Sequence, residues 1–289
     1  MIDTLDDRQR DGRPLLELRD LHVRFGTQDV LRGINLRVQQ GESIAIIGES
    51  GCGKTVLLKT IIGLIKPLWG QVFFDGRDLA LLTNHELADL RTRFGFVFQN
   101  AALFDSMTIG QNVAFPIRQH RQLSDGEVER AVLARLAEVG LPDSVVTQKP
   151  AELSGGMRKR VGLARASVLQ PEVMLYDEPT TGLDPIVADV INELMMRARH
   201  RYSVTSVIVT HDMRTARKVA DRVIMVYPLT RLEPNEKQII FDGPPSALDR
   251  TEDRRVRQFV RGEAGERLME MRAAARVAAA ARAVNGVES

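Results

Sequence analysis

Between Gly48 and Thr55 the chain reads GESGCGKT, a spacing of glycine, lysine and hydroxyl that suits phosphate chemistry. Gly48, Gly51 and Gly53 let the backbone turn so that the N–H groups of the loop, running through Glu49, Ser50 and Cys52, surround the phosphates of a nucleotide at the positive end of the next helix. Lys54 would span the β- and γ-phosphates, and the Thr55 hydroxyl would ligate Mg²⁺. Cys52 lies near that helix start and near Lys54, both of which favour a thiolate. It is expected either to be an alkylation site that bound nucleotide protects or to fill a variable position and be inert.

Further along, VMLYDEPTTGLDP (173–185) ends an apolar run with two adjacent carboxylates. Asp177 is placed to hold the Mg²⁺ shell, and Glu178 to orient and deprotonate a water for in-line attack on the γ-phosphate. The alternative is an ordinary acidic strand-to-loop turn. His211, at the end of SVIVTH, falls where parallel sheets gather ligands and reads as a γ-phosphate sensor, although a single histidine is more often a core or turn residue. Gln99 ends GFVFQ, and its amide would reach Mg²⁺ or the attacking water, or else it is a polar strand end. Phe25 before Gly26 offers a face for stacking on adenine or a core side chain.

These residues need a frame. LLELRDLHVRFG and VLRGINLRVQQGE alternate as strands of a β-rich first region. SIAIIG, GFVFQ, VMLYDEP, SVIVTH and RVIMVY are short, continuous apolar runs of buried-strand type, with helical spacing between them, which predicts a parallel sheet. KTVLLKTIIGLI follows the phosphate loop with helical spacing. From about 100 to 170 the pattern becomes helical; SDGEVERAVLARLAEVGL has a Ser124 cap, an acidic start and Gly140 as its stop. PLTRLEPNEKQIIFDG reads as a hairpin with an unusually long tip. The expected division is a flexible leader over 1–14, a nucleotide-binding domain over 15–248 with the helical subdomain inside it, and a helical tail over 249–289. That tail carries nine arginines and six acids from Arg250 onward and is either a solvated helix, ending in an alanine-rich stretch, or a docking arm.

Composition narrows the class. With 40 basic and 38 acidic residues the net charge is +2, which gives no global signal for nucleic acid. One cysteine excludes an intramolecular disulfide framework and fits a reducing compartment. No secretory signal and no apolar run of membrane-spanning length is visible, so a cytosolic chain that docks on a membrane partner is expected.

With Phe25, the phosphate loop, Gln99, LSGGM (153–157), YDEP with GLDP, and His211 in this order, the sequence resembles the ATP-binding subunits of ABC transporters over about residues 16–248. NAALFDSMTIGQNVAFPIRQH after Gln99, the Met-ended LSGGM and RRVRQFVRGE near the end are similar to the Mla/MCE-associated branch, whose ATPases energise lipid transport between bacterial membranes. The resemblance implies an α/β fold: a P-loop ATPase core with a mostly parallel sheet, an N-terminal antiparallel β subdomain and an inserted helical subdomain. It also implies a homodimer of ATPase subunits in which Ser154, Gly155 and Gly156 of one chain close over the ATP of the other, as a hydroxyl and open N–H groups at a helix start would suit. Multispan permease subunits and an MCE-type lipid-binding protein would be the partners, on the cytoplasmic face of the inner membrane, with no nucleic acid.

Two positions depart from the family pattern. Met157 stands where glutamine is usual, and Phe25 where tyrosine is common. Leu103, Phe104, Met107, Val113, Phe115 and Ile117 would form either the docking surface for a partner's short helix or the insert's own core. The runner-up activity is an importer ATPase for amino acids or another small solute. A soluble ATPase acting on ribosomes or DNA fits less well, because there is one cassette and no long heptad.

Overall fold

The computed structural model describes residues 12–264, so the start of the leader and the alanine-rich end of the tail lie outside the described residues. Two sheets organise the larger compact unit, which runs to Pro245. The first is antiparallel, in the order β2 (Gln28–Val38), β1 (Leu16–Phe25), β4 (Trp69–Phe74), β5 (Arg77–Asp78). The second has six strands in the order β10 (Ile239–Gly243), β9 (Arg222–Val226), β3 (Ser43–Ile47), β8 (Thr205–Val209), β7 (Val173–Asp177), β6 (Phe94–Val97). All its neighbours are parallel except the β9–β10 hairpin.

The continuous apolar runs have a physical reason, because the parallel sheet is covered on both faces. Along β7, Val173 and Leu175 enter one core, and Met174 and Tyr176 enter the other. The first core lies with the antiparallel sheet and α1 (Lys54–Ile61), through Leu16, Ile34, Leu57, Leu58 and Phe74. The second gathers the helical insert, α3 (Ile109–His120), α4 (Asp125–Glu138) and α5 (Gly155–Ser167), with α6 (Pro185–Tyr202) and α7 (Met213–Val219).

The insert's helices start on local signals. Thr108 caps α3 and exchanges hydrogen bonds with Gln111, while Glu127 accepts from the Ser124 backbone N–H ahead of α4. Gly140 follows the end of α4 at φ 69°, the left-handed conformation that lets a helix stop. Val113 and Ile117 are buried in the second core, so these two residues of the expected docking surface belong to the insert itself. Phe104 stays exposed, with its ring 4.9 Å from that of Phe115.

A further helix, α2 (Asn84–Arg91), is capped by Thr83, whose hydroxyl accepts from the Glu86 N–H. The second compact unit begins at Ser246; in it Asp253 caps α8 (Arg254–Arg261), and Gly262 ends the helix at φ 67°.

Candidate active site

The phosphate loop leaves the buried strand β3 and enters α1 through glycines that steric contact requires. A Cβ on Gly48 would stand 2.3 Å from the Val226 carbonyl oxygen at the end of β9. One on Gly53, the N-cap of α1 at φ 99°, would stand 2.8 Å from Leu31. Only glycine fits either position. No side chain caps this helix start and no acid occupies its first turn, which leaves N–H groups for an anion. Lys54 is buried, and its Nζ donates to the carbonyls of Gly48 and Glu49, at 2.8 Å each. Ser50 and Gly51 are exposed on the loop.

Cys52 departs from the reactive-thiol expectation. It is 2% exposed, and burial pushes its thiol pKa up despite the neighbouring Lys54. A protonated, inaccessible thiol is a poor nucleophile.

The Thr55 hydroxyl donates to Asp177 at 2.9 Å. Asp177 ends β7 and is itself buried; burial raises its pKa, and adjacent Glu178 adds to that, against the Thr55 hydrogen bond and the charges of Lys59 and Lys54. Hydroxyl and carboxylate oxygens held this close fit a hard divalent cation that takes its remaining ligands from phosphate and water. Among the described residues no cluster of three or more His, Cys, Asp or Glu side chains is placed to hold a metal unaided.

Glu178 turns away from Asp177. Its backbone is left-handed at φ 51°, a conformation that costs a non-glycine residue about 1–2 kcal/mol. Its N–H donates to Val209 at the end of β8, its carboxylate accepts from Thr181 Oγ1 at 2.9 Å, and the same carboxylate lies 2.8 Å from His211 Nδ1. The adjacent acids thus take different partners: Asp177 faces the phosphate loop, and Glu178 faces His211. His211 lies two residues beyond β8, which ends at Val209, and its side chain is more than half exposed.

One contributor escaped the sequence reading. Lys159, in the basic run after LSGG, is buried and donates to the Thr181 carbonyl at 2.5 Å and the Glu178 carbonyl at 3.4 Å. Burial lowers its pKa, opposed by the charge of Glu178. It ties the 178–181 turn to α5. A run such as MRKR reads as solvated surface, so no periodic signal marked it.

Gln99 is exposed in the turn after β6, which stops two residues earlier, at Val97. Ala101 and Ala102 follow at φ 59° and 47°, and Arg165 of α5 donates to both their carbonyls, at 2.7 and 2.8 Å. Phe25 is half exposed at the end of β1, leaving its ring available for stacking.

Ser154 caps α5, accepting from the Met157 N–H at 3.3 Å. Met157 is half-buried and packs on the second core, so a thioether suits the position. A Cβ on Gly156 would meet Val187 at 2.6 Å, whereas one on Gly155 would meet nothing within 4 Å.

A phosphate loop and paired acids at the C-terminal edge of a parallel sheet, joined to a helical insert and an antiparallel sheet, define an ATP-hydrolysing cassette. The chain belongs to the ABC transporter family, whose model matches residues 31–181, and it is an ATPase that binds nucleotide. It is 39% identical over 249 residues to an intermembrane phospholipid transport system ATP-binding protein, MlaF, of Haemophilus influenzae, covering 86% of this chain and 91% of that one. A probable ribonucleotide transport ATP-binding protein, mkl, of Mycobacterium bovis is 38% identical over 247 residues, 86% of this chain and 66% of that one. Among solved structures, a dimeric ATP-binding cassette in a post-hydrolysis state with ADP and Pi is similar at TM-score 0.71 and 30% identity, over 80% of this chain and 98% of that one.

Proposed function

We propose that the chain is the ATPase subunit of a phospholipid transporter and works as a homodimer with multispan permease subunits and an MCE-type lipid-binding protein, on the cytoplasmic face of the membrane. The observation that carries the catalytic part is the division of labour between adjacent acids, Asp177 at Thr55 and Glu178 at His211. The phosphate loop from Gly48 to Thr55 binds ATP, with Lys54 on the phosphates and Phe25 under the adenine. Thr55, Asp177 and Gln99 are the donors for Mg²⁺, which when bound neutralises charge on the phosphate oxygens. Glu178 orients the attacking water and accepts its proton as the new O–P bond forms and the bond from the γ-phosphorus to the bridging oxygen breaks, releasing ADP and phosphate, while His211 senses the γ-phosphate.

Ser154, Gly155 and Gly156 bind the γ-phosphate of the partner's ATP. Gly155 supports this, since among the described residues nothing crowds the position. The lipid cargo is favoured over the small-solute reading by the match to the phospholipid relative along 91% of its length.

The chain isolated from membranes is expected to bring a multispan permease and an MCE-type protein with it, and phospholipid should raise ATP turnover in that complex. Co-isolation with a small-solute-binding protein, and stimulation by its solute instead, would give the second reading the case.

A further inference from the structure

Twelve residues, 227–238, separate β9 from β10, far more than the two to five that usually close a hairpin. This tip lies folded against the phosphate loop. Arg231 forms an ion pair with Glu49 at 2.9 Å, with both side chains largely shielded from water. Gln238, 1% exposed, accepts from the Arg32 N–H and donates to the carbonyls of Val30 and of Cys52. Arg32, on β2, donates in turn to the Glu233 carbonyl in the middle of the tip. The Tyr227 N–H donates to the Gln238 carbonyl and closes the base. The tip therefore holds the loop at Glu49 and at Cys52, the two residues that flank Ser50 and Gly51.

We propose that this tip is a clamp on the phosphate loop, in which Arg231 and Gln238 are positioning residues that set affinity for nucleotide without setting the rate of hydrolysis. The proposal rests on the reading of GESGCGKT as the ATP site. A loop with three left-handed glycines has many accessible conformations, and only those with converging N–H groups bind phosphates. Apparent affinity scales with the fraction of chains already in the competent conformation. Anchoring the loop at Glu49 and Cys52 raises that fraction before nucleotide arrives. ATP and ADP share the phosphates that the loop cradles, so the clamp acts on both alike. Because it acts equally on ground state and transition state, it changes KM and leaves kcat alone.

The test uses the full chain for equilibrium binding of ATP and ADP, and the partner-bound complex for turnover. Arg231→Met should weaken both nucleotides about tenfold, the size expected for losing a hydrogen bond to a charged group, with kcat within about twofold of wild type. Arg231→Lys, which keeps the charge, should recover most of the loss. Gln238→Glu is an independent variant: its carboxylate cannot donate to Val30 and Cys52, and the same KM effect is expected.

Glu49→Gln added to Arg231→Met separates tethering from charge. The clamp predicts that the double variant stays weak; recovery would mean that the anion at Glu49 repels nucleotide, and would overturn the proposal. Unchanged affinity in Arg231→Met, or a fall in kcat at unchanged affinity, would overturn it too. Wild-type protein that bound no ATP would remove the site reading and the clamp together, whereas normal wild-type binding with indifferent variants removes only the clamp.

Discussion

Two glycine-rich turns begin helices in this chain, GESGCGKT ahead of α1 and LSGG ahead of α5, and their glycines answer to different neighbours. In the first, Gly48 and Gly53 are dictated from within, by the Val226 carbonyl and the Leu31 side chain, and Lys54 is held by two carbonyls of its own loop. In the second, Gly156 fits against Val187, but Gly155 lies open and Ser154 is exposed. The first turn is complete inside one chain in that each of its glycines has an internal reason, Gly51 through its φ of 82° although a Cβ there would meet nothing within 4 Å. The second has a glycine whose absence of side chain serves no internal contact, as a surface awaiting another molecule would have.

The largest expected effect tests what the complete side does. Glu178→Gln keeps the size and the Thr181 contact but removes the base, so turnover in the assembled complex should fall by about 10²–10⁴-fold while ATP affinity is retained. Turnover close to wild type would show that the acid beside His211 is not the base.

Next in size is the experiment that could break the contrast itself. Lys54→Ala should disable a phosphate loop, Ser154→Arg should disable a signature turn, and each homodimer should fail to occlude labelled ATP. Mixed one to one, half the dimers of a two-fold assembly are heterodimers, each with one intact composite site, so about a quarter of wild-type occlusion should return. No recovery, with heterodimers shown to form, would mean that the open turn serves its own chain.

The smallest effect concerns what the complete side costs. Burial raises the Asp177 pKa, so the folded chain holds that proton more tightly than the unfolded chain does. Its favourable contribution to stability is present below the ordinary carboxylate range and is lost as pH rises through the raised folded value. Without nucleotide, Asp177→Asn should therefore melt a few degrees above wild type at neutral pH, and the gap should close in acid. The same variant should bind Mg-ATP more weakly. A lower melting temperature at neutral pH would show that the Thr55 hydrogen bond outweighs desolvation.

Much of this contrast was legible in residue order. The buried strands announced themselves because a sheet covered on both faces needs apolar residues at every position, as in SIAII and VMLYD. The α4 start was equally plain, since Ser124 and Glu127 are local chemistry. Trp69–Phe74 gave no such signal: its Trp69 is exposed, Gly70 interrupts it, and the strand exists because β1 supplies an edge. The strand ends before Gln99 and His211 were also blurred, because polar residues beyond the last ladder bond look the same as residues inside it. Lys159 and Arg231 were invisible for a different reason. Each acts through backbone or charge partners distant in sequence, and no periodicity encodes such a meeting. For Cys52, neighbours along the chain argued for a thiolate, but enclosure in three dimensions decided against it.

Arg165 adds a mechanical property to the open side. The helix that begins at Ser154 carries Arg165 eleven residues later, about 16 Å along its axis, and there the guanidinium grips the carbonyls of two alanines just after Gln99. A hydrogen-bonded helix of three turns keeps a fixed rise per residue, so the spacing between Ser154 and those alanines is set by the helix. Both are held in a backbone conformation that side chains resist. The helix is thus a strut whose far end is seated on a left-handed stretch of backbone, and Gln99 lies two residues before that stretch.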